Sequence, residues 1–165
     1  MSAITLKFGG STLHGPESIK RVSRLIALKS KQARSFVVVS ALKGSTEALI
    51  AISRSTATEA LAQFDALIER HRLTARALLD GARVLAWETD IAPYCATCRH
   101  VLAADTRRDV DIATLLAVGE KLSAALLHQV LQLDLQDSRW LCSERLIITK
   151  GRRLQATVDL NASRS

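Results

Sequence analysis

The chain has 165 residues, of which 48% are hydrophobic and only 4% aromatic, and its formal net charge is +7. This length is typical of one compact domain, and the apolar content excludes a disordered chain, so we expect a core of aliphatic side chains. The positive charge favours anionic partners, but Lys and Arg are scattered rather than gathered in a stripe with aromatic residues, so we rank nucleic-acid binding last and expect no such partner.

The first forty residues predict a strand, a helix and a second strand. Residues 3–8 alternate weakly and predict a strand, which is followed by a loop through Gly9–Gly10 and Gly15–Pro16. The proline suits the first turn of a helix that continues to about Lys31. The β-branched run SFVVVS, residues 35–40, predicts a strand buried on both faces, as in parallel sheets. Together these elements predict a βαβ unit.

Helical patterns dominate the middle of the chain. They predict one helix over residues 46–53 and two helices over residues 57–86 with a break near Arg72. The pattern lapses around Pro93, and a long helix is predicted over residues 109–133.

The C-terminal stretch predicts little regular structure. WLCS (residues 140–143) and LIIT (residues 146–149) predict a short strand and a strand end, and a polar loop follows. The order of elements predicts an α/β fold, an αβα sandwich with a mostly parallel open sheet and helices on both faces. Since three or four strands make a small parallel sheet, we expect the domain to be truncated.

Cysteine usage and hydropathy bear on the compartment. The N-terminus has no signal-peptide pattern and no apolar run reaches the length of a membrane span, so we expect a cytoplasmic protein with reduced thiols and no membrane partner. Cys95 and Cys98 form half of a zinc-like pattern, but a second ligand pair at suitable spacing is lacking. We interpret them as ordinary cysteines near a helix start and expect no metal site.

The first stretch that could carry chemistry is KFGGST, residues 7–12. Glycines directly after a strand let the backbone approach an anion, and successive backbone N–H groups there form an anion-binding hollow. Lys7 adds a point charge that can reach a phosphate. The pattern is neither a P-loop nor a dinucleotide fingerprint, and a plain strand-to-loop turn is the alternative.

The second stretch is VVVSALKGSTEAL, which begins at Val37. Ser40 ends the predicted strand and so lies at the same sheet edge as Gly9 and Gly10, because the carboxyl ends of parallel strands face the ligand crevice. Thr46 opens the next helix. Its hydroxyl could meet a ligand there, and an ordinary helix N-cap is the alternative.

The third stretch is LLAVGEKLSAALL, in which Gly119 precedes Glu120 in the middle of a predicted helix. A glycine in a helix interior costs about 1 kcal/mol relative to alanine, so we expect another part of the chain to approach closely there. A carboxylate at the edge of the apolar face can hold an ammonium group. The alternative is a surface glutamate paired with a nearby Lys or Arg.

Taken together, the three stretches resemble aspartate kinases (aspartokinases), members of the amino-acid-kinase superfamily, whose motifs occur in this order. ITKG and ATVDL are similar to the segment before the nucleotide-binding half, especially in the forms fused to homoserine dehydrogenase. The resemblance implies an open αβα sandwich that transfers the γ-phosphoryl group of ATP to the side-chain carboxylate of L-aspartate. This is the first step of aspartate-family amino-acid biosynthesis, and Mg²⁺ would bridge the phosphates.

The resemblance also implies roles for individual residues. It assigns phosphate binding to Lys7, Phe8, Gly9, Gly10 and Ser11, and aspartate binding to Ser40, Thr46 and Glu120. Lys7 would be the catalytic group that stabilises the transferring phosphoryl group, and Glu120 would face the ammonium of aspartate. Positioning and charge stabilisation suffice for this chemistry. Glu47 stands where the family usually has asparagine, and its negative charge beside an anionic substrate is unfavourable.

We expect residues 1–165 to form the N-terminal, substrate-side part of the kinase domain, with the nucleotide-binding half and the ACT domains absent. Arg152 or Arg153 would meet a substrate carboxylate. Because an exposed sheet edge needs cover, we expect a homo-oligomer or a complementing C-terminal half as partner. A truncated, non-catalytic remnant or interaction module of the same fold is the alternative to a kinase.

Overall fold

The structure, a computed structural model, describes residues 2–104, 106–151 and 155–164. Two parallel strands lie beside packed helices, and a short hairpin follows. The strands are β1 (Ala3–Phe8), β2 (Arg34–Val39), β3 (Thr149–Lys150) and β4 (Thr157–Val158). The helices are α1 (Pro16–Ser30), α2 (Ser45–Arg54), α3 (Ala57–Arg76), α4 (Gly81–Leu102) and α5 (Asp109–Leu131). Short 3-10 turns span Gly10–Thr12, Ser143–Arg145 and Ala162–Arg164.

The predicted βαβ unit is confirmed. Strands β1 and β2 pair in parallel, from Ala3 opposite Arg34 to Phe8 opposite Val39, and α1 connects them. Helix α1 begins at its proline, as predicted. The Ser18 hydroxyl accepts hydrogen bonds from the backbone N–H groups of the two residues before that proline, both at 3.1 Å. These bonds satisfy donors at the start of the helix.

One face of this two-stranded sheet is covered and the other is open. The covered face packs against the core through Leu6, Val37 and Val39. We call the open side, formed by Thr5, Lys7, Phe36 and Val38, the outer face. Phe36 and Val38 are 43% and 52% exposed. The prediction that β2 is buried on both faces is therefore wrong for the described residues, because α1 and α5, which contact β2 and each other, cover one face.

The centre of the core lies among the helices. The side chains of Phe64 in α3, Trp87 in α4 and Leu122 in α5 are each 0% exposed. The Trp87 indole N–H donates to the backbone carbonyl of Leu122 at 3.3 Å, so this polar group is satisfied inside the core.

The predicted helix break near Arg72 is wrong. Helix α3 continues to Arg76, and the guanidinium of Arg72 forms ion pairs with Glu69 on the same helix and with Glu88 on α4. The pair with Glu88 holds α3 against α4 at the position where a break was expected, and the pair with Glu69 supports the helix itself. Helix α4 begins after Asp80, whose carboxylate accepts from the backbone N–H three residues later at 2.9 Å, as helix N-caps do.

Helix α4 runs through Pro93 without ending there. The proline is exposed, while Ile91, Cys95 and Cys98 on either side of it are buried against the core. A proline inside a helix costs about 3 kcal/mol, and burial of the flanking side chains offsets that cost.

After α5, the predicted strand at residues 140–143 is absent from the described structure. Trp140 instead packs its ring edge-to-face on Tyr94, with ring centroids 6.0 Å apart. An ion pair of 2.6 Å between Lys121 and Glu144 holds the same segment against α5. The strand predicted to end near residue 149 is the two-residue β3, which pairs with β4.

Candidate functional site

The three stretches singled out in the sequence meet around Ala41, the residue after Ser40. The backbone N–H of Ser40 donates to the carbonyl of Phe8 at 3.0 Å, which joins the ends of β1 and β2. A Cβ atom placed on Gly10 would lie 3.1 Å from the Ala41 carbonyl oxygen, and one placed on Gly119 would lie 2.9 Å from the Ala41 Cβ. Both glycines therefore permit close packing against this residue.

The expected close approach at Gly119 is confirmed. Besides Ala41, a Cβ there would meet Leu49 Cδ1 of α2 at 3.2 Å. One helical turn later, the Ser123 hydroxyl donates to the Ser40 carbonyl at 2.6 Å. Ser123 was missed in the sequence. Its signal was a small polar residue on the buried face of α5, three positions after Glu120.

The glycine turn contains backbone N–H groups without a described acceptor. The Gly9 carbonyl accepts from both the backbone N–H and the hydroxyl of Thr12, at 2.9 and 2.6 Å. In the described part of the chain, the backbone N–H groups of Gly9, Gly10 and Ser11 donate to no acceptor. The Lys7 ammonium nitrogen lies 3.4 Å from the position of a Cβ on Gly9. One positive charge and several free N–H groups thus lie together.

The Glu120 carboxylate is exposed and forms no ion pair with any described residue. Its neighbour Lys121 pairs with Glu144 instead. The interpretation of Glu120 as a surface glutamate paired with a nearby cation is therefore not supported. The carboxylate stays available for a cation from outside the chain.

Thr46 is not a helix N-cap. That position belongs to Gly44, with a φ of 80°, and Thr46 lies in the first turn of α2 with an exposed hydroxyl that bonds to no described group. The preceding Ser45 is 0% exposed, and its hydroxyl accepts from Nη2 of Arg70 at 2.8 Å. Neither Ser45 nor Arg70 was singled out in the sequence, since their contact joins separate helices.

The backbone contacts thus bring the glycine turn, Ser40 and the middle of α5 into one neighbourhood. The site is an open edge, because the side chains of Lys7, Ser11, Thr46 and Glu120 are exposed whereas Phe8 is buried. A nearby cavity of about 200 Å³ is lined by other residues, among them Leu13, His14, Gly15, Lys43, Arg70 and Thr74. Arg152 and Arg153 lie outside the described residues. The binding roles assigned from the sequence to the glycine turn, Ser40, Thr46, Glu120 and the two arginines stay predictions.

Within the described residues, no group of three or more His, Cys, Asp or Glu side chains is arranged to hold a metal ion. Cys95 and Cys98 lie in the second half of α4 rather than near a helix start. Burial raises the pKa of both thiols, that of Cys98 to about 12, so both stay protonated at neutral pH.

None of the described helices is both long and apolar enough to cross a membrane.

Comparison with known proteins identifies the family. The family model described as "Amino acid kinase family" matches residues 3–162. The chain belongs to the amino acid kinase family.

Curated relatives of this amino acid kinase family member include aspartokinases. That of Chlamydia muridarum (strain MoPn / Nigg) is 32% identical over 159 residues, which cover 95% of this chain and 34% of the relative. Bifunctional aspartokinase/homoserine dehydrogenase 2, chloroplastic, of Arabidopsis thaliana is 29% identical over 149 residues, which cover 86% of this chain and 16% of that relative. The resemblance to aspartokinases is confirmed. The chain spans about a third of the length of the chlamydial relative.

Solved structures show the same fold. E. coli aspartokinase III in complex with aspartate and ADP (R-state) matches with a TM-score of 0.83 at 22% identity, over 98% of this chain and 36% of that one. The complex of the same enzyme with lysine and aspartate (T-state) matches with a TM-score of 0.80, also at 22% identity, over 96% of this chain and 35% of that one. The predicted amino-acid-kinase-like α/β fold is confirmed, here as a mostly helical chain with a small parallel sheet.

Proposed function

We propose that this chain forms the aspartate-binding part of an aspartokinase-type enzyme, which transfers the γ-phosphoryl group of ATP to the side-chain carboxylate of L-aspartate. The observation that carries the proposal is the meeting of Gly10, Ser40 and the Gly119–Glu120 segment around Ala41. The likeness to aspartokinases supports it. The fold neighbour crystallised with aspartate and ADP is consistent with both ligands.

The glycine turn is suited to a transferring phosphoryl group. Its free backbone N–H groups at Gly9, Gly10 and Ser11 can donate to phosphate oxygens, and the ammonium of Lys7 beside Gly9 adds positive charge where negative charge develops. Mg²⁺, when bound with ATP, would neutralise phosphate charge, and it would come with the nucleotide because the described residues offer no carboxylate cluster.

The substrate would lie between α2 and α5. Glu120 would hold the ammonium of aspartate, since its carboxylate is exposed and unpaired within the described residues. The hydroxyls of Ser40 and Thr46 would donate to the substrate carboxylates, because neither is occupied by another described group. Ser123 would keep Ser40 in place through the hydrogen bond to its carbonyl.

We further propose that residues 1–165 are the substrate-side part of a larger kinase domain, whose nucleotide-binding half and ACT domains lie outside them. The match to about a third of the chlamydial relative supports this division. The outer face, with Phe36 and Val38 exposed, supports a covering partner. That partner would be a second copy of the chain or a complementing C-terminal half.

Calorimetric titration with L-aspartate tests the substrate assignment. We expect weak binding by the chain, lost in Glu120→Gln because the substrate ammonium then has no carboxylate partner. Asp137→Asn is the matched control, since Asp137 is an exposed carboxylate beyond the end of α5. Equal affinity of the two variants would reject the role of Glu120.

An aspartyl-hydroxamate assay with ATP and Mg²⁺ separates the kinase from a non-catalytic remnant of the same fold. We expect turnover only when a complementing nucleotide-binding half is supplied, because phosphate contacts alone rarely hold a nucleotide tightly. Lys7→Gln should then abolish hydroxamate formation and leave aspartate binding intact. A complemented protein that binds aspartate and forms no hydroxamate would favour the remnant.

A further inference from the structure

Three basic side chains line the cavity of about 200 Å³ beside the glycine turn. His14, Lys43 and Arg70 come from three separate parts of the fold: the loop before α1, the loop before α2 and the helix α3. The residues that line this cavity include no Asp or Glu. Three basic side chains around one opening, without a carboxylate among them, create a positive potential that attracts anions.

The guanidinium of Arg70 is anchored at the start of α2, although the residue as a whole is exposed. Its Nη2 donates to the hydroxyl of the fully buried Ser45 at 2.8 Å, and its Nη1 lies 3.4 Å from the position of a Cβ on Gly44. Nη1 and Nε donate to no described acceptor. A fixed guanidinium with free donors loses less conformational freedom on binding an oxyanion than a mobile one does.

Lys43 contributes a second permanent charge. Its backbone is anchored by the hydrogen bond from its N–H to the carbonyl of Leu13 at 3.0 Å, while its ammonium has no described partner. The Cα of Lys43 lies 4.0 Å from the position of a Cβ on Gly10. The cavity therefore adjoins the glycine turn, although none of the residues proposed to bind ATP or aspartate lines it.

We propose that this cavity is a binding site for a phosphate group, separate from the phosphate site at the glycine turn. Lys43 and Arg70 carry two permanent charges, which match a phosphate dianion better than a single carboxylate. His14, which also lines the cavity, adds a ring nitrogen, whereas the hydroxyl of Thr74 already donates to the carbonyl of Arg70 at 3.0 Å. Ligand pockets for drug-sized molecules are roughly 300–1,000 Å³. A cavity of about 200 Å³ therefore admits a small phosphorylated group or inorganic phosphate, rather than a whole nucleotide.

An NMR titration of the whole chain with inorganic phosphate, at constant ionic strength, tests the proposal without any requirement for kinase activity. We expect saturable shifts of the backbone amides of Thr74 and Leu42. Lys43→Gln and Arg70→Gln should each raise the Kd about tenfold, since each removes a charged hydrogen-bond donor. Acetate should bind more weakly than phosphate, because it carries one charge.

Two controls locate the ion. Arg76→Gln removes an exposed arginine from the same helix, and we expect no change in the Kd. Lys7→Gln should weaken phosphate binding at the glycine turn alone, so we expect the amide shifts at Thr74 to persist. Since Arg70 also bonds to Ser45, Lys43→Gln is the variant that leaves the described side-chain hydrogen bonds intact. Four results would each overturn the proposal. Two concern the wild-type chain: amide shifts that do not saturate, or acetate binding as tightly as phosphate. Two concern the variants: an unchanged Kd in Lys43→Gln, or loss of phosphate binding in Lys7→Gln alone.

Discussion

The helical core and the outer face of the sheet differ in how completely their side chains are buried by the rest of the chain. In the core, Phe64, Trp87 and Leu122 are completely buried. On the outer face, Phe36 and Val38 stay about half exposed, and at the sheet edge nearby the described contacts leave the polar groups proposed to bind ligands unpaired. The difference teaches that the completely buried side chains lie in the helices, whereas the exposed apolar side chains of the outer face and the unpaired groups proposed to bind ligands lie on the sheet and around its edge.

The largest expected effect compares one large aromatic residue from each region. Trp87→Ala should lower the free energy of unfolding by about 3–5 kcal/mol, because it leaves a cavity in the core and removes the hydrogen bond to Leu122. Phe36→Ala should lower it by less than about 1 kcal/mol, since the ring is about half exposed and its stacking partner is the exposed Arg34 guanidinium, 5.4 Å from the ring centre. Urea unfolding followed by circular dichroism measures both. Similar losses would break the comparison.

A buried histidine gives the core a pH dependence. Burial lowers the pKa of His71 to about 4 in the folded chain, below the roughly 6.5 of an unfolded chain. The unfolded chain therefore takes up the proton first as the pH falls. The stabilising contribution of neutral His71 is complete above about pH 6.5 and is lost as the pH falls towards 4, a change of about 3 kcal/mol.

Unfolding measured between pH 6.5 and 4.5 tests this expectation. The pH dependence should flatten in His71→Phe, which keeps a ring of similar shape and cannot take up a proton. The matched control is His100→Phe, whose side chain is exposed near the end of α4 and should leave the profile unchanged. An equally steep profile in His71→Phe would assign the pH dependence to other groups.

The glycine in the middle of α5 joins the two regions. In Gly119→Ala the new Cβ would lie 2.9 Å from the Ala41 Cβ, so a neighbour must move. Overpacking of this kind costs about 1–3 kcal/mol, and the gain in helix propensity returns about 1 kcal/mol, so we expect a net loss of about 1 kcal/mol.

Gly81→Ala is the matched control, since a Cβ there meets nothing within 4 Å. Thermal unfolding should rank Gly119→Ala below the parent chain and Gly81→Ala at or above it. If aspartate titration shows weaker binding in Gly119→Ala than in the parent chain, the packing at Ala41 also positions the proposed substrate site. Improved stability in Gly119→Ala would contradict the close approach.

The smallest expected effect concerns the charge next to Thr46. Glu47 is exposed in the first turn of α2, where its carboxylate would repel an anionic substrate bound at Thr46 as proposed. Glu47→Asn should tighten aspartate binding about two- to fivefold, because exposed charge pairs contribute about 0.2–1 kcal/mol. Glu17→Gln, on the exposed side of α1, serves as the control in the same titration. Unchanged affinity in Glu47→Asn would place the substrate away from α2.

Local signals in the sequence were sufficient for part of this fold. The alternation of residues 3–8, the β-branched run at 35–40 and the start of α1 at Pro16 depend on neighbouring residues, and these elements were predicted correctly. The cost of Gly119 inside a helix is also local, and it indicated a close contact that the structure confirms.

Contacts between distant residues were not predictable in this way. The interactions that stabilise α3 at Arg72 and continue α4 through Pro93 come from neighbouring helices. The hydrogen bond from Arg70 to Ser45 joins two helices across 25 positions. A run of valines predicts burial, yet whether both faces of β2 are covered depends on which elements surround it. Local pattern therefore located the motifs of the candidate site, whereas the residues that support them emerged from the three-dimensional packing.

The hydrogen bond between Ser123 and Ser40 has a consequence for the order of folding. It joins residues 83 positions apart, whereas β1 and β2 are joined through the single short crossover of α1. Closing the longer loop costs more chain entropy, and contacts of high sequence separation form slowly. We expect the βαβ unit and the helical hairpins to form first and α5 to dock last. Glu120 would then reach the sheet edge only in the final step, so an intermediate with nearly complete helical content would still lack the proposed aspartate site.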